Sequence, residues 1–182
     1  MRPPKLIKPY VRRFCQRVEP RSSGPIYIPS QPLPQAEERD CFITVAEQVA
    51  RKGGEQVIGW AVWEWPRVLL EAEFHAAWRT PEGELLNITP YPYPLKRMLF
   101  LPSPHRRFEG RQVNNVREAL DRDPLIQRLI QLHNLYFAEI NRGELAEQFG
   151  EIEVGPEAVR CQTEIRNTLW RLQERYGASE PE

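Results

Sequence analysis

Apolar positions along the chain change period several times, and each change predicts an element. From Cys41 to Arg51, Phe42, Val45, Ala46 and Val49 recur at helical spacing behind Asp40, and Gly53-Gly54 stop the run, which predicts a short half-buried helix with Asp40 as its N-cap. Val57 to Trp65, rich in Val, Ile and Trp and closed by Pro66, reads as a strand. Val68 to Trp78 then alternates: Leu70, Ala72, Phe74, Ala76 and Trp78 on one face, Leu69, Glu71, Glu73, His75 and Ala77 on the other. Pro81 to Glu84 has turn chemistry, and Leu85 to Ile88 make a third short strand closed by Pro90. Tandem short strands predict an antiparallel meander. The prolines from Pro90 to Pro104 predict an irregular connection that wraps the core, and helical periodicity returns over Val113–Leu120, Pro124–Ile140 and Pro156–Tyr176.

Before the first helix neither period holds. Eight of the 18 prolines precede Gln35, which predicts an extended arm laid on the domain surface through Tyr10, Phe14, Ile26, Tyr27 and Ile28. The chain therefore divides into a proline-rich basic arm (1–34), an α+β core (35–100) and a helical segment packed on or beside that core (101–182).

Composition narrows the function classes. The 182 residues are 41% hydrophobic and carry 25 Lys+Arg against 25 Asp+Glu, so no global field draws the chain to nucleic acid, and a nucleic-acid partner is not expected. Charge is unevenly placed, with seven basic residues and one acid, Glu19, between Met1 and Arg21. No apolar run approaches a membrane span and no apolar leader block follows the N-terminus, so a cytoplasmic protein without membrane contact is expected. Cys15, Cys41 and Cys161 lack zinc-module spacing, and neither a disulfide framework nor a cofactor is expected.

The chemistry-bearing stretch runs from Gln35 to Pro90. Cys41 falls in the first turn of a helix, where unpaired amides and the helix dipole favour an anion. His75 follows on a strand, far enough along for a helix and a strand to intervene, and Asn87 comes after it past a turn, where it can orient the imidazole. A nucleophile, a base and an orienter thus follow in chain order. Two bland readings stand beside this one: a buried inert cysteine and a satisfied strand histidine.

A helix-borne cysteine, a strand reading His-Ala-Ala-Trp, a Pro-Glu-Gly turn and a strand reading Leu-Asn-Ile-Thr-Pro resemble the core of the transglutaminase-like division of the papain-like cysteine enzymes. That division carries a Cys-His-Asp triad; here Asn87 stands where its aspartate would, as in the Cys-His-Asn triad of papain itself. Gln35, shortly before Cys41, stands at the offset of the papain oxyanion glutamine, whereas Phe42 replaces the tryptophan that follows the papain cysteine. The resemblance spans roughly residues 35–90. It implies a short helix headed by the cysteine and packed on a small antiparallel sheet. It also implies hydrolysis or transfer of an acyl group from an amide, isopeptide or thioester, with a protein or peptide as substrate.

Other readings remain open. Trp60, Trp63 and Trp78, with Glu73, are the candidate substrate-binding residues, and the same tryptophan-rich sheet with the basic arm could instead serve a non-catalytic protein-binding module. Glu71, Glu73 and His75 alternate on one strand face, and His105 or His133 would complete a metal site, but solvated glutamates explain that pattern more cheaply, and no metal is expected. An enzyme requires the Cys41 sulfur and a His75 nitrogen within hydrogen-bond reach beside an open cleft.

Overall fold

The computed structural model describes residues 1–38, 40–143 and 153–178. Among them the chain is mixed helix and sheet, in the order α1 (Pro9–Val18), β1 (Ile26–Pro29), α2 (Cys41–Lys52), β2 (Glu55–Trp65), β3 (Leu69–Arg79), β4 (Leu85–Leu86), β5 (Arg97–Pro102), β6 (Val116–Ala119), α3 (Pro124–Ile140) and α4 (Pro156–Tyr176).

One antiparallel sheet organises everything. Its order is β1-β5-β2-β3-β4, with β6 paired to the end of β3 that β4 leaves open. β2 and β3 are its spine, paired in register from Glu55↔Arg79 to Trp65↔Leu69, because β-branched and aromatic residues fit a pleated surface buried on both sides. The sheet nearly closes on itself: Ser30, just past β1, forms a parallel bridge with Asn87, just past β4. Asn87 is locked there by donating its N–H to Pro29 O (2.9 Å) and by its carbonyl accepting from Gln31 N (2.8 Å).

The predicted arm is folded rather than extended. Pro9 is tolerated in the first turn of a helix, and Val11, Phe14, Cys15 and Val18 form a stripe that buries against Trp60, Val62, Leu70 and Leu99 on one face of the sheet. Ile26–Pro29 then joins the sheet as β1. Two further expectations are corrected. Arg97–Pro102, inside the predicted irregular connection, is a strand between β1 and β2, drawn in because Met98, Leu99, Phe100 and Leu101 all bury. Val116–Ala119, predicted helical, pairs with β3 as a strand, because the backbone groups of Leu69–Ala72 offer it a ladder.

The helices α3 and α4 have the bounds that periodicity predicts and form a hairpin on one end of the sheet. Ile126, Leu129, Leu132, Ile165 and Leu172 pack with Trp65, Val68 and Leu69, and the Trp65 indole donates to Gly177 O (3.1 Å). Among the described residues no helix is long and apolar enough to cross a membrane.

Candidate active site

Three backbone features bring the sequence-distant residues together. Cys41 opens α2, whose inner face, Cys41, Val45 and Val49, packs on Ala76, Leu86 and Ile88. His75 lies mid-β3, opposite Gly59 of β2. The β3–β4 hairpin, closed by Thr80 N donating to Glu84 O (2.8 Å) with Gly83 at positive φ, returns the chain so that Asn87 reaches His75.

Hydrogen bonds fix how the imidazole stands. The Asn87 amide nitrogen donates to Ser30 Oγ and to Thr89 O, both at 2.9 Å, so its Oδ1 faces His75 Nε2 at 2.9 Å as an acceptor. The neutral His75 ring therefore carries its proton on Nε2, which leaves Nδ1 as the unprotonated nitrogen. Burial pulls the His75 pKa down, but the Cys41 charge and the Asn87 hydrogen bond act the other way, and the net direction is up.

The setting is closed. Cys41 is 5% exposed, His75 2% and Asn87 0%, so the open cleft that the sequence reading asks for is not a feature of this conformation. Val45, Ala76, Leu86 and Ile88 surround the head of α2. Asp40 stands at the expected N-cap position of α2, but its side chain makes no cap hydrogen bond.

The remaining expected residues separate. Gln35 sits exposed in a turn and borders a groove of about 410 Å³ along α2 with Asp40, Thr44 and Gln48, a groove whose lining does not include Cys41. The tryptophans do not share a binding surface. Trp60 is core on the α1 side of the sheet, in ring contact with Phe74 (5.2 Å), while Trp63 lies on the opposite face with Phe100. Trp78 donates to Gly53 O (3.0 Å) at the far end of α2. A tryptophan platform for a partner is therefore absent from the sheet, whose Trp60, Trp63 and Trp65 are all buried. Glu71 is taken up by Arg117 and by Asn115 Nδ2 (3.0 Å), and among the described residues no group of three or more His, Cys, Asp or Glu side chains could hold a metal.

Sequence reasoning overlooked Tyr91. Its ring lies 6.2 Å from that of His75 and meets Trp63 edge-on at 4.8 Å, and its hydroxyl donates to Glu73 Oε2 (3.2 Å), the same oxygen that accepts from Trp63 Nε1 (2.8 Å). Thr89, between Asn87 and Tyr91, holds a buried hydroxyl with no partner among the described residues. Only their place in the run Asn87-Ile88-Thr89-Pro90-Tyr91 signals either residue, since proline-broken segments carry no period.

No family model, no curated protein and no solved structure matches this chain.

Proposed function

We propose that this chain is a cysteine-dependent enzyme that hydrolyses or transfers an acyl group through Cys41, His75 and Asn87, on a papain-like or transglutaminase-like core. One observation carries the reading: a buried imidazole is bonded to an asparagine whose own orientation is fixed by Ser30 and Thr89, and the charge of a helix-heading thiol raises the pKa of that same ring. A structural histidine needs no thiol, and a structural cysteine needs no base.

In this reading the Cys41 thiolate attacks the carbonyl carbon, forming a C–S bond as the C=O electron pair moves to oxygen. The carbonyl then re-forms, and the bond to the leaving amine or thiol breaks as His75 delivers a proton to it. Water, or an acceptor amine, attacks the thioester in the second half and regenerates the thiol. Asn87 holds the ring and takes no proton. A protein or peptide substrate and a cytoplasmic setting belong to the same proposal, and three free cysteines suit a reducing compartment.

The test uses iodoacetamide, a probe small enough for a nearly closed site, with labelling read cysteine by cysteine through peptide mass spectrometry. At neutral pH Cys41 should react faster than Cys15 and Cys161, and His75→Ala should slow it about tenfold or more. Equal, sluggish labelling of all three thiols, or indifference to the loss of His75, overturns the reading.

A further inference from the structure

Acyl chemistry at a buried sulfur creates a negative oxygen where water is excluded, so the site needs a donor aimed at that oxygen. The resemblance assigns the task to Gln35, but Gln35 is exposed in a turn beside a groove that Cys41 does not line. A different side chain is better situated.

We infer that the Tyr91 hydroxyl is the oxyanion donor of the Cys41 centre, an inference that rests on Cys41 being the nucleophile. Tyr91 closely follows Asn87 in the chain, and its segment is pinned by Leu33 N donating to Ile88 O (3.0 Å) and by Tyr93 Oη donating to Met1 O (2.6 Å). The ring centroid lies 6.2 Å from that of His75 and 4.8 Å from that of Trp63, which holds the phenol beside the imidazole. Its present acceptor is Glu73 Oε2 at 3.2 Å, a long bond for a hydroxyl. The same oxygen keeps the shorter Trp63 bond (2.8 Å), so the phenolic hydrogen can turn to a nearby oxyanion while Glu73 retains a donor.

The protonation state agrees with this geometry. Burial first, then the charges of Glu73 and Cys41, push the Tyr91 hydroxyl well above its ordinary value, so it remains a donor across the physiological range. During the reaction no proton leaves Tyr91: the carbonyl π pair moves to oxygen, the O–H hydrogen-bonds to it, and the bond relaxes when the carbonyl re-forms.

Two small reagents separate this role from others. Acylation of Cys41 by p-nitrophenyl acetate passes through an oxyanion, whereas alkylation by iodoacetamide is a displacement at saturated carbon and forms none. Tyr91→Phe, which keeps the ring, should lower the acylation rate, read as the burst of p-nitrophenolate, about a hundredfold. Its iodoacetamide rate should match that of the parent, which also reports an intact site. An unchanged acylation rate overturns the inference. Equal losses in both reactions also overturn it, making Tyr91 a packing residue, and equal gains do so by making it a cover. A parent protein whose Cys41 alkylates quickly but does not acylate overturns the enzymatic reading beneath it as well.

Discussion

Asn87 meets the imidazole with an amide rather than a carboxylate, and its other hydrogen bonds give a physical reason. Its amide nitrogen donates to Ser30 Oγ and to the Thr89 carbonyl, and a carboxylate in the same place would donate nothing and set its charge against that carbonyl oxygen. Asn87→Asp, though isosteric, should therefore destabilise the fold by roughly 1–3 kcal/mol in urea denaturation, the scale of a buried group left unsatisfied. Wild-type stability in the variant would show that the bridge past β1 does not depend on that amide. At the same scale, the pKa of His75 is raised above its unfolded value of about 6.5. Its partnership with Cys41 therefore contributes stability that is fully present below pH ~6.5 and is lost as pH rises through the folded-state value.

At the scale of elements, the position of His75 depends on a neighbour with no side chain. Gly59 is the cross-strand partner of His75, and a Cβ there would fall 2.4 Å from Leu101 O and 2.5 Å from Phe100 Cζ. Phe100 in turn packs edge-on to the imidazole at 6.5 Å. Gly59→Ala must displace backbone or that ring, and should lower stability by about 1–3 kcal/mol or more. Gly155→Ala, at the start of α4 with open space around its Cα, should be close to neutral, and thermal denaturation of the two variants checks the contrast. Comparable losses from both would mean that the β2–β5 contact is not tight. Elements carrying a full period were legible from the sequence: α2, β2, β3, α3 and α4. The helix α1 was not, because the prolines from Pro3 to Pro25 outvoted an apolar stripe whose Pro9 sits harmlessly at its first position. The strand β6 was not either, since Val-Arg-Glu-Ala has no preference strong enough to foretell a partner as distant in the chain as Leu69–Ala72.

For the whole molecule, the near-closure of the sheet is what converts local elements into a site. β1 and the end of β4 come from chain segments separated by the whole of α2, β2 and β3, and their bridge at Ser30 and Asn87 fixes the amide that orients His75. The chain order of Cys41, His75 and Asn87 could be read from residue type and spacing, because a helix followed by a hairpin leaves few ways to arrange three such groups. Burial could not. The pairing of His75 with Asn87 is legible from the sequence, but not the separation of Gln35, nor how tightly Val45, Leu86 and Ile88 close around Cys41, nor that Trp60 and Trp63 face opposite ways into the interior. Tyr91 escaped for the same reason, since its place is set by packing against Trp63 and His75 across strands rather than by any pattern along its own segment.

The central claim is that one imidazole couples Cys41 to Asn87, and titration of the His75 ring by nitrogen-15 NMR, in the parent and in Cys41→Ala, tests it most directly. The parent ring should show a proton on Nε2 and a pKa above 6.5, and removal of the thiol should bring that pKa down, since burial opposes the imidazolium and the Cys41 charge is the largest factor raising it. An identical titration in both proteins, or a parent ring with its proton on Nδ1 instead, would contradict the account.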